Sequence, residues 1–308
     1  MLKLSVIILS YAMDDEVYHI NRHAIESLLA SEPWQDDSLE ILLIESNKEN
    51  PYRYDDLFYG YERQAHFRIE IPQERFNFHR FINLGIQMTD GDFVAMCNND
   101  IEFRKGWFRA ILSVKQEHPA FMCFSPLDRT YPMMTEQELP GTQSYYIGWE
   151  NKRHFAAWCF VWERKVFQTI GLLDETFDFY SADDDELQTL RYWAIPNVLV
   201  TGSEVKHLSQ VVTKKIDQKN CPLIPEEKRN LYPLTDDEIH RGLTWLWEDE
   251  RFYVAYQRMK KKWGSAHMRE RVNRFLERYP ILNRRCVTKF LYNPYIINFM
   301  AKVTRAKG

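Results

Sequence analysis

The most constraining feature of this chain is the alternation of strand-like and helix-like segments over its first 210 residues. Short apolar runs predict strands at Leu4–Leu9, Leu39–Glu45 and Phe93–Cys97, and helical periodicity predicts helices over Glu16–Ser31 and Phe78–Met88. The same patterns add the strands Phe67–Ile71, Ala156–Val161 and Val198–Gly202, and the helices Trp107–Glu117, Lys165–Ile170 and Asp184–Trp193. Because strands joined through helices pair in parallel, this order predicts an α/β fold with a mostly parallel sheet flanked by helices.

Polar side chains follow several of these strands directly. The tripeptide Asn98-Asn99-Asp100 ends one strand, Ser10-Tyr11 ends the first, and Glu45 ends the second. Amides and carboxylates are poor strand formers and are costly to bury without partners. Ligands of open α/β sheets sit at the carboxyl ends of strands, where Asp100 is well placed to hold a hard divalent cation against a phosphate. The alternative interpretation is a polar turn.

An acidic cluster, residues 183–186, opens the helix predicted from Asp184. Repulsion between its carboxylates raises the pKa of at least one of them, which suits a proton acceptor. Stabilisation by the helix dipole is the alternative. Trp149 and Trp158 either stack on a sugar or base or belong to the core.

Charge is divided unevenly along the chain, whose net charge is −4. From Arg251 onward there are fifteen Lys or Arg residues and two acidic residues, which leaves the first 250 residues strongly acidic. The alternation of strands and helices ends after His207, which predicts an α/β domain over residues 1–212 and a mainly helical region over residues 213–308. The charge division predicts that the α/β domain is acidic and that the basic region contacts an anionic surface. A solvated helical face, or packing on the catalytic domain, is the alternative.

Cysteine usage and hydropathy predict where the protein works. The five cysteines form no CxxC pair, which argues against a disulfide framework or zinc site and favours a reducing compartment. The sequence lacks signal-peptide features and an apolar stretch long enough for a transmembrane span. We therefore expect a cytoplasmic protein, and peripheral attachment to a membrane surface remains open.

Several blocks together resemble the family 2 glycosyltransferases, which are inverting enzymes of GT-A fold. The blocks occur in the family's order over roughly residues 4–210. They are the opening strand Val6–Tyr11, the helix and strand around Asn83-Leu84-Gly85-Ile86 and Gly91-Asp92-Phe93, the Asn98-Asn99-Asp100 motif, the segment Trp158–Phe177, Asp183-Asp184 with Leu187, and Val205-Lys206-His207.

The resemblance implies roles for individual residues. It makes Asp100 a ligand of Mn²⁺ or Mg²⁺, and His207 either a second ligand or a direct contact of the diphosphate. It makes Asp184 the catalytic base, with Asp183 and Asp185 as alternatives. Trp149 and Trp158 are candidate acceptor contacts. The candidate donor-binding residues are Ser10, Tyr11, Glu45, Asn83, Asn98 and Asn99.

The expected function is transfer of a hexose or pentose from a nucleoside-diphosphate sugar, with a UDP-sugar favoured and GDP- and dTDP-sugars open. Two acceptors fit: a glycan or lipid-linked glycan, and hydroxyl-modified DNA gripped by residues 251–308. A nucleotide-sugar binding module without turnover is the alternative of another class. Sugar nucleotidyltransferases share the fold, but Ser10-Tyr11-Ala12-Met13-Asp14 lacks their glycine-rich loop and lysine.

Overall fold

A computed structural model describes residues 2–131, 134, 143–155, 157–208 and 223–305. The chain forms two compact units, the first from Met1–Asp178 with Ile195–Thr213, and the second from Phe179–Ala194 with Lys214–Gly308. The boundary predicted near residue 212 falls in residues 209–222, which lie outside the described part of the chain, and it stays a prediction.

The first unit is built on one mixed sheet that contains nine strands in the described ranges. The strand order is β3-β2-β1-β4-β8-β6-β9-β5, and β7 pairs with β9. The strands are β1 Leu4–Ser10, β2 Leu39–Glu45, β3 Ala65–Glu70, β4 Phe93–Asn98, β5 Ile101–Phe103, β6 Cys123–Leu127, β7 Tyr145–Ile147, β8 Cys159–Glu163 and β9 Asn197–His207.

The strand directions confirm the α/β class and make the sheet mixed. β3, β2, β1 and β4 are parallel, as the alternation of strands and helices predicts. β8 is antiparallel to both β4 and β6, and β5 and β7 are antiparallel to β9, while β6 and β9 are parallel. The antiparallel pairs arise because β8, β7 and β5 do not follow crossover helices of their own.

Helices cover both faces of the sheet. Val6 and Ile8 share a core cluster with Leu28 of one helix and Ile111 of another, whereas Ile7 points to the opposite face and meets Gly85. The helices of this unit are α1 Asp15–Ser31, α2 Phe78–Met88, α3 Trp107–Glu117 and α4 Lys165–Ile170, with a 3₁₀ turn at Asp55–Phe58. α1 and α3 therefore lie on one face and α2 on the other.

The segment from Phe121 to Tyr146 differs from its predicted form. Its prolines predict a long loop, yet Cys123–Leu127 is the buried strand β6. Pro126 is tolerated because the β6–β9 register shifts between Pro126 and Leu127, where ladder hydrogen bonding is interrupted. Residues 132–133 and 135–142 lie outside the described ranges.

The second unit is helical in its described residues. It contains α5 Ala182–Tyr192, α6 Asp236–His240, α7 Glu250–Trp263, α8 Ala266–Arg278, α9 Arg285–Leu291 and α10 Pro294–Arg305, with 3₁₀ turns at Glu226–Leu231, Leu243–Trp247 and Pro280–Leu282. Thr235 followed three residues later by Glu238 is a pattern that predicts a helix start, and the structure confirms it, because the two residues form a reciprocal capping box. Met268, Val272 and Leu276 of α8 pack with Tyr292 and Ile297 in one core cluster.

Within the described ranges no helix is long and apolar enough to cross a membrane. The described cysteines, Cys97, Cys123, Cys159 and Cys286, are all free thiols. The thiols of Cys97 and Cys159 lie 3.4 Å apart between β4 and β8, and burial raises the pKa of Cys97, which keeps it unreactive.

The close approach of α2 to β1 generates a stability prediction. A Cβ atom at Gly85 would lie 2.7 Å from the Ile7 side chain. Overpacking of this kind costs about 1–3 kcal/mol, so Gly85→Val should lower the free energy of unfolding by that amount in urea titrations. Gln87→Val, at an exposed position of the same helix, is the matched control. Equal stability of the two variants would contradict this packing.

Candidate functional site

The carboxylate of Glu45 holds together the loops that follow β1 and β2. Glu45 is fully buried, and it accepts hydrogen bonds from Ser10 Oγ at 2.8 Å, from the Ala12 amide at 3.0 Å and from the Asn47 amide at 2.7 Å. Burial raises the pKa of Glu45, and these hydrogen bonds oppose the rise. Its position agrees with the predicted strand-end site, although its observed contacts are with the protein itself.

Asn21 of α1 extends this network to the end of β4, and sequence reasoning missed it. Its Nδ2 donates to Ser10 Oγ at 2.7 Å and to Tyr54 Oη at 2.8 Å, and its Oδ1 accepts from Asn99 Nδ2 at 2.6 Å. Asn21, Ser10, Glu45 and Asn99 thus form one buried chain of hydrogen bonds across three strand ends.

A signal for Asn21 was present in the sequence. Asn21 lies on the same stripe of α1 as Val17, Ala24 and Leu28, which are all buried. An amide in the middle of an apolar stripe needs partners, because burying it alone costs several kcal/mol. This pattern indicates a buried polar network, though it does not name the partners.

Asp100 and His207 meet at the junction of β5 and β9. Ile101 pairs with His207 in an antiparallel register, and the Leu208 amide donates to the Asp100 carbonyl at 2.8 Å. This pairing brings Asp100 Oδ1 to 3.2 Å from His207 Nε2, with both side chains largely buried. Despite this short distance, His207 Nε2 has no hydrogen-bond partner of acceptable geometry among the described residues.

This geometry fits two ligands of one cation. Ligand atoms about 2.1 Å from an octahedral metal and at right angles to each other are about 3.0 Å apart, close to the observed separation. No group of three or more His, Cys, Asp or Glu residues in the described ranges could hold a metal. Asp100 and His207 would therefore share the cation with oxygens of a bound phosphate, as is common for magnesium sites.

One contact to the ring and one to the backbone hold His207 in place. The Trp158 indole stacks on it with ring centroids 5.1 Å apart and planes 5° apart, and Tyr131 contacts the indole at 4.8 Å. Asp128 Oδ2 accepts a hydrogen bond from the His207 backbone amide at 3.0 Å. Trp158, predicted to contact the acceptor, is buried beside the candidate metal ligand, and its acceptor role stays a prediction.

The remaining predicted residues of the first unit occupy different surroundings. Tyr11 is exposed after β1. The backbone amide of Asn98 donates to the Trp158 carbonyl at 2.9 Å. Trp149 Nε1 donates to the Ile195 carbonyl at 3.0 Å. The roles predicted for Tyr11, Asn98 and Trp149 remain predictions.

Asn83 lies buried in α2. Its Nδ2 donates to the Leu173 carbonyl at 2.8 Å, and its Oδ1 accepts from the Leu173 amide at 2.8 Å. These contacts bind α2 to the segment after α4. The donor-binding role of Asn83 stays a prediction, and its observed partners give it a structural function.

The acidic cluster lies in the second unit, where its members differ sharply in exposure. Asp185 is buried, and it accepts hydrogen bonds from Trp263 Nε1 at 2.6 Å and Lys262 Nζ at 2.9 Å. Asp183 Oδ1 accepts from the Asp184 amide at 3.0 Å, and Asp184 is exposed. The cluster follows Ser181, whose φ of 60° is unusual outside glycine.

Part of the basic charge of the second unit is used within that unit. Lys262 binds Asp185, and Lys260 Nζ lies 2.7 Å from Glu238 Oε1. Burial would raise the pKa of Glu238, but hydrogen bonds led by that from Lys260 lower it to about 2. These two lysines are therefore paired with acidic residues of their own unit.

Comparisons with known proteins place the fold. No family model matches the sequence, and no curated protein matches it significantly. The chain is similar to a solved structure of GalNAc-T7 with UDP, GalNAc and Mn²⁺, at 15% identity and a TM-score of 0.51, over 67% of this chain and 44% of that one. The chain thus spans less than half the length of that protein.

Two further solved structures match over most of their length. The chain is similar to S. aureus TarS 1–349, at 11% identity and a TM-score of 0.53, over 94% of this chain and 90% of that one. Mannosyltransferase PcManGT from Pyrobaculum calidifontis, in complex with GDP-Man and Mn²⁺, is 14% identical with a TM-score of 0.51, over 98% and 88%. These similarities show that the chain has the GT-A glycosyltransferase fold.

The buried network yields a prediction for Asn21. Asn21→Ala removes partners from Ser10, Tyr54 and Asn99 at once, and a buried polar group left unsatisfied costs about 1–3 kcal/mol. The variant should lose at least that much unfolding free energy in urea. Glu26→Ala, which removes only an exposed ion pair with Arg22 on the same helix, should lose less. Equal losses would contradict the central role of Asn21.

Proposed function

We propose that the chain is a metal-dependent glycosyltransferase that moves a sugar from a nucleoside-diphosphate sugar to a hydroxyl acceptor. The observation that carries this proposal is the approach of Asp100 Oδ1 to His207 Nε2 beside the strand ends of a GT-A fold. Two neighbours in fold, GalNAc-T7 and PcManGT, are complexes that contain a nucleotide or nucleotide sugar and Mn²⁺, which supports it.

Asp100 and His207 would hold the cation, Mn²⁺ or Mg²⁺. A carboxylate and an imidazole make a mixed oxygen and nitrogen set, which manganese tolerates better than magnesium does. When bound there, the cation supplies neutralisation of charge on the departing diphosphate. Trp158 holds the His207 ring in a fixed orientation, so that Nε2 faces Asp100.

The donor would lie along the strand ends that the buried network fixes. The residues we propose for its binding are Ser10, Tyr11, Glu45, Asn83, Asn98 and Asn99, and Asn83 also ties α2 to the segment after α4. By the resemblance, Glu45 corresponds to an Asp with which the family often accepts a hydrogen bond from uracil N3–H; here its carboxylate also anchors two loops. A UDP-sugar is the donor we favour, with GDP- and dTDP-sugars as the tested alternatives.

Asp184 is the base we propose for an inverting displacement. Its carboxylate would take the proton of the acceptor hydroxyl as that oxygen bonds to the anomeric carbon and the bond to the diphosphate oxygen breaks. Its exposure supports this choice, because a base must reach a substrate. Asp185 is the weaker candidate because Lys262 and Trp263 already bind its carboxylate.

The acceptor we favour is a glycan or lipid-linked glycan, with Trp149 and Trp158 as candidate contacts. Hydroxyl-modified DNA is the second candidate, favoured by the excess of Lys and Arg after Arg251. A test with UDP-, GDP- and dTDP-sugars and Mn²⁺ would measure release of nucleoside diphosphate, with and without duplex DNA that carries hydroxymethylcytosine. Donor binding without turnover on any acceptor would favour a binding module, and absence of donor binding would contradict the proposal.

Metal binding gives a prediction independent of turnover. Asp100→Asn and His207→Ala should each weaken Mn²⁺ affinity in the presence of UDP at least about tenfold, because each removes one of two protein ligands. Calorimetric titration of the folded variants measures this loss. His66→Ala, at an exposed position of the same unit, is the control. Unchanged affinity in both variants would exclude this metal site.

Asp184 and Asp185 should respond differently to substitution by asparagine. Asp184→Asn should reduce kcat by about 10²–10⁴-fold with UDP affinity preserved, because it removes only proton acceptance. Asp185→Asn should chiefly lower stability, because it leaves Lys262 without its buried carboxylate.

Asp236→Asn is the control for both, since Asp236 is an exposed first-turn aspartate of α6. Kinetics and urea titrations of all three variants separate the two roles. Full activity of Asp184→Asn would assign the base elsewhere.

A further inference from the structure

The helices α8–α10 carry both exposed apolar and exposed basic side chains. On α10, Tyr295 is 84% and Phe299 65% exposed, and Val303 follows at the next position of the same stripe. Ile297 lies on the opposite side of the helix, fully buried in the core cluster of α8. Helix α10 therefore packs through one side and presents an apolar stripe, Tyr295, Phe299 and Val303, on the other.

The preceding helix and turn add to this exposed apolar surface. Phe290, near the end of α9, is 60% exposed, and Ile281 in the 3₁₀ turn is 73% exposed. Isolated exposed apolar residues are ordinary, but several within 25 residues of a helical unit mark an interaction surface.

Helix α8 supplies a basic face. Arg271, Arg274 and Arg278 are exposed at successive turns of the helix, together with Phe275. The Phe275 ring lies 5.1 Å from that of Tyr279, and the Arg278 guanidinium lies 5.7 Å from the Tyr279 ring. Unlike Lys260 and Lys262, these three arginines are exposed to solvent.

We propose that α8–α10 dock on an anionic lipid membrane surface. The arginines of α8 would approach the headgroups, while Phe290 and the α10 stripe would enter the boundary between headgroups and acyl chains. Amphipathic helices that combine aromatic and aliphatic residues with Lys and Arg bind membranes in this way. From Ala266 to Arg305, the range of α8–α10, there are nine Lys or Arg residues and two acidic ones, which complements anionic lipid.

The composition of the exposed surface favours lipid over nucleic acid. Proteins that bind single-stranded nucleic acid stack bases on aromatic rings within a basic groove. Ile281 and Val303 have no ring for stacking, and burial in an acyl boundary gains from aliphatic and aromatic side chains alike. Docking on lipid stands without the proposed activity; only its consequence, a lipid-linked acceptor, rests on the proposed function.

The test is co-sedimentation of the full chain with vesicles of phosphatidylcholine alone, or of phosphatidylcholine mixed with phosphatidylglycerol. We expect binding to the anionic vesicles that weakens with added salt. The double variant Phe290→Ser and Phe299→Ser should weaken binding at least about tenfold. Each of Arg271→Gln, Arg274→Gln and Arg278→Gln should weaken it about fivefold.

Controls come from the first unit, which carries equally exposed residues. Tyr59 is 89% exposed, and Tyr59→Ser and Arg63→Gln should bind vesicles as the unchanged protein does. Circular dichroism checks that each variant is folded.

Three results would overturn the proposal, and none depends on sugar transfer. The first is no binding to anionic vesicles, or binding that the α8–α10 variants leave unchanged. The second is binding to duplex or single-stranded DNA that requires the three arginines while vesicles are ignored. The third is self-association in sedimentation velocity that Phe299→Ser abolishes, with no vesicle binding.

Discussion

The site depends above all on the need to satisfy buried polar groups where three strands end. β1, β2 and β4 run in parallel and end at the same edge of the sheet, so their terminal side chains meet. One chain of hydrogen bonds satisfies these polar groups, and it joins Glu45, Ser10, Asn21 and Asn99. Such a fully satisfied network rigidifies the loops around it, whereas a partly satisfied one would be costly.

The order of strands and helices was predictable because it follows from local periodicity. The parallel strands, α2 and the Thr235 capping box follow from patterns within single segments. The strands β5, β6 and β7 were not predicted, because β5 and β7 are only three residues long and Pro126 is unusual in a strand such as β6. The antiparallel position of β8 between β4 and β6 depends on pairing partners far away in sequence, which periodicity does not encode.

The types of residue in the candidate site could be predicted from the sequence, but only some of the contacts between them could. The resemblance assigns Asp100 and His207 to one site, and the pairing of β5 with β9 brings their side chains together. Nothing local in the sequence indicates that Trp158 stacks on His207, or that Lys262 and Trp263 bind Asp185. These contacts join residues about 50 to 80 positions apart, so they depend on tertiary packing.

The length of β9 has a consequence for how this protein can change during evolution. One continuous strand, Asn197–His207, pairs with β6 near its start and with β5 at its end, so its register sets which face His207 occupies. Deleting or inserting one residue between Glu204 and His207 would rotate the imidazole to the other face. A change in the length of this segment would therefore separate His207 from Asp100, because the pairing of β9 with β5 brings the two side chains together.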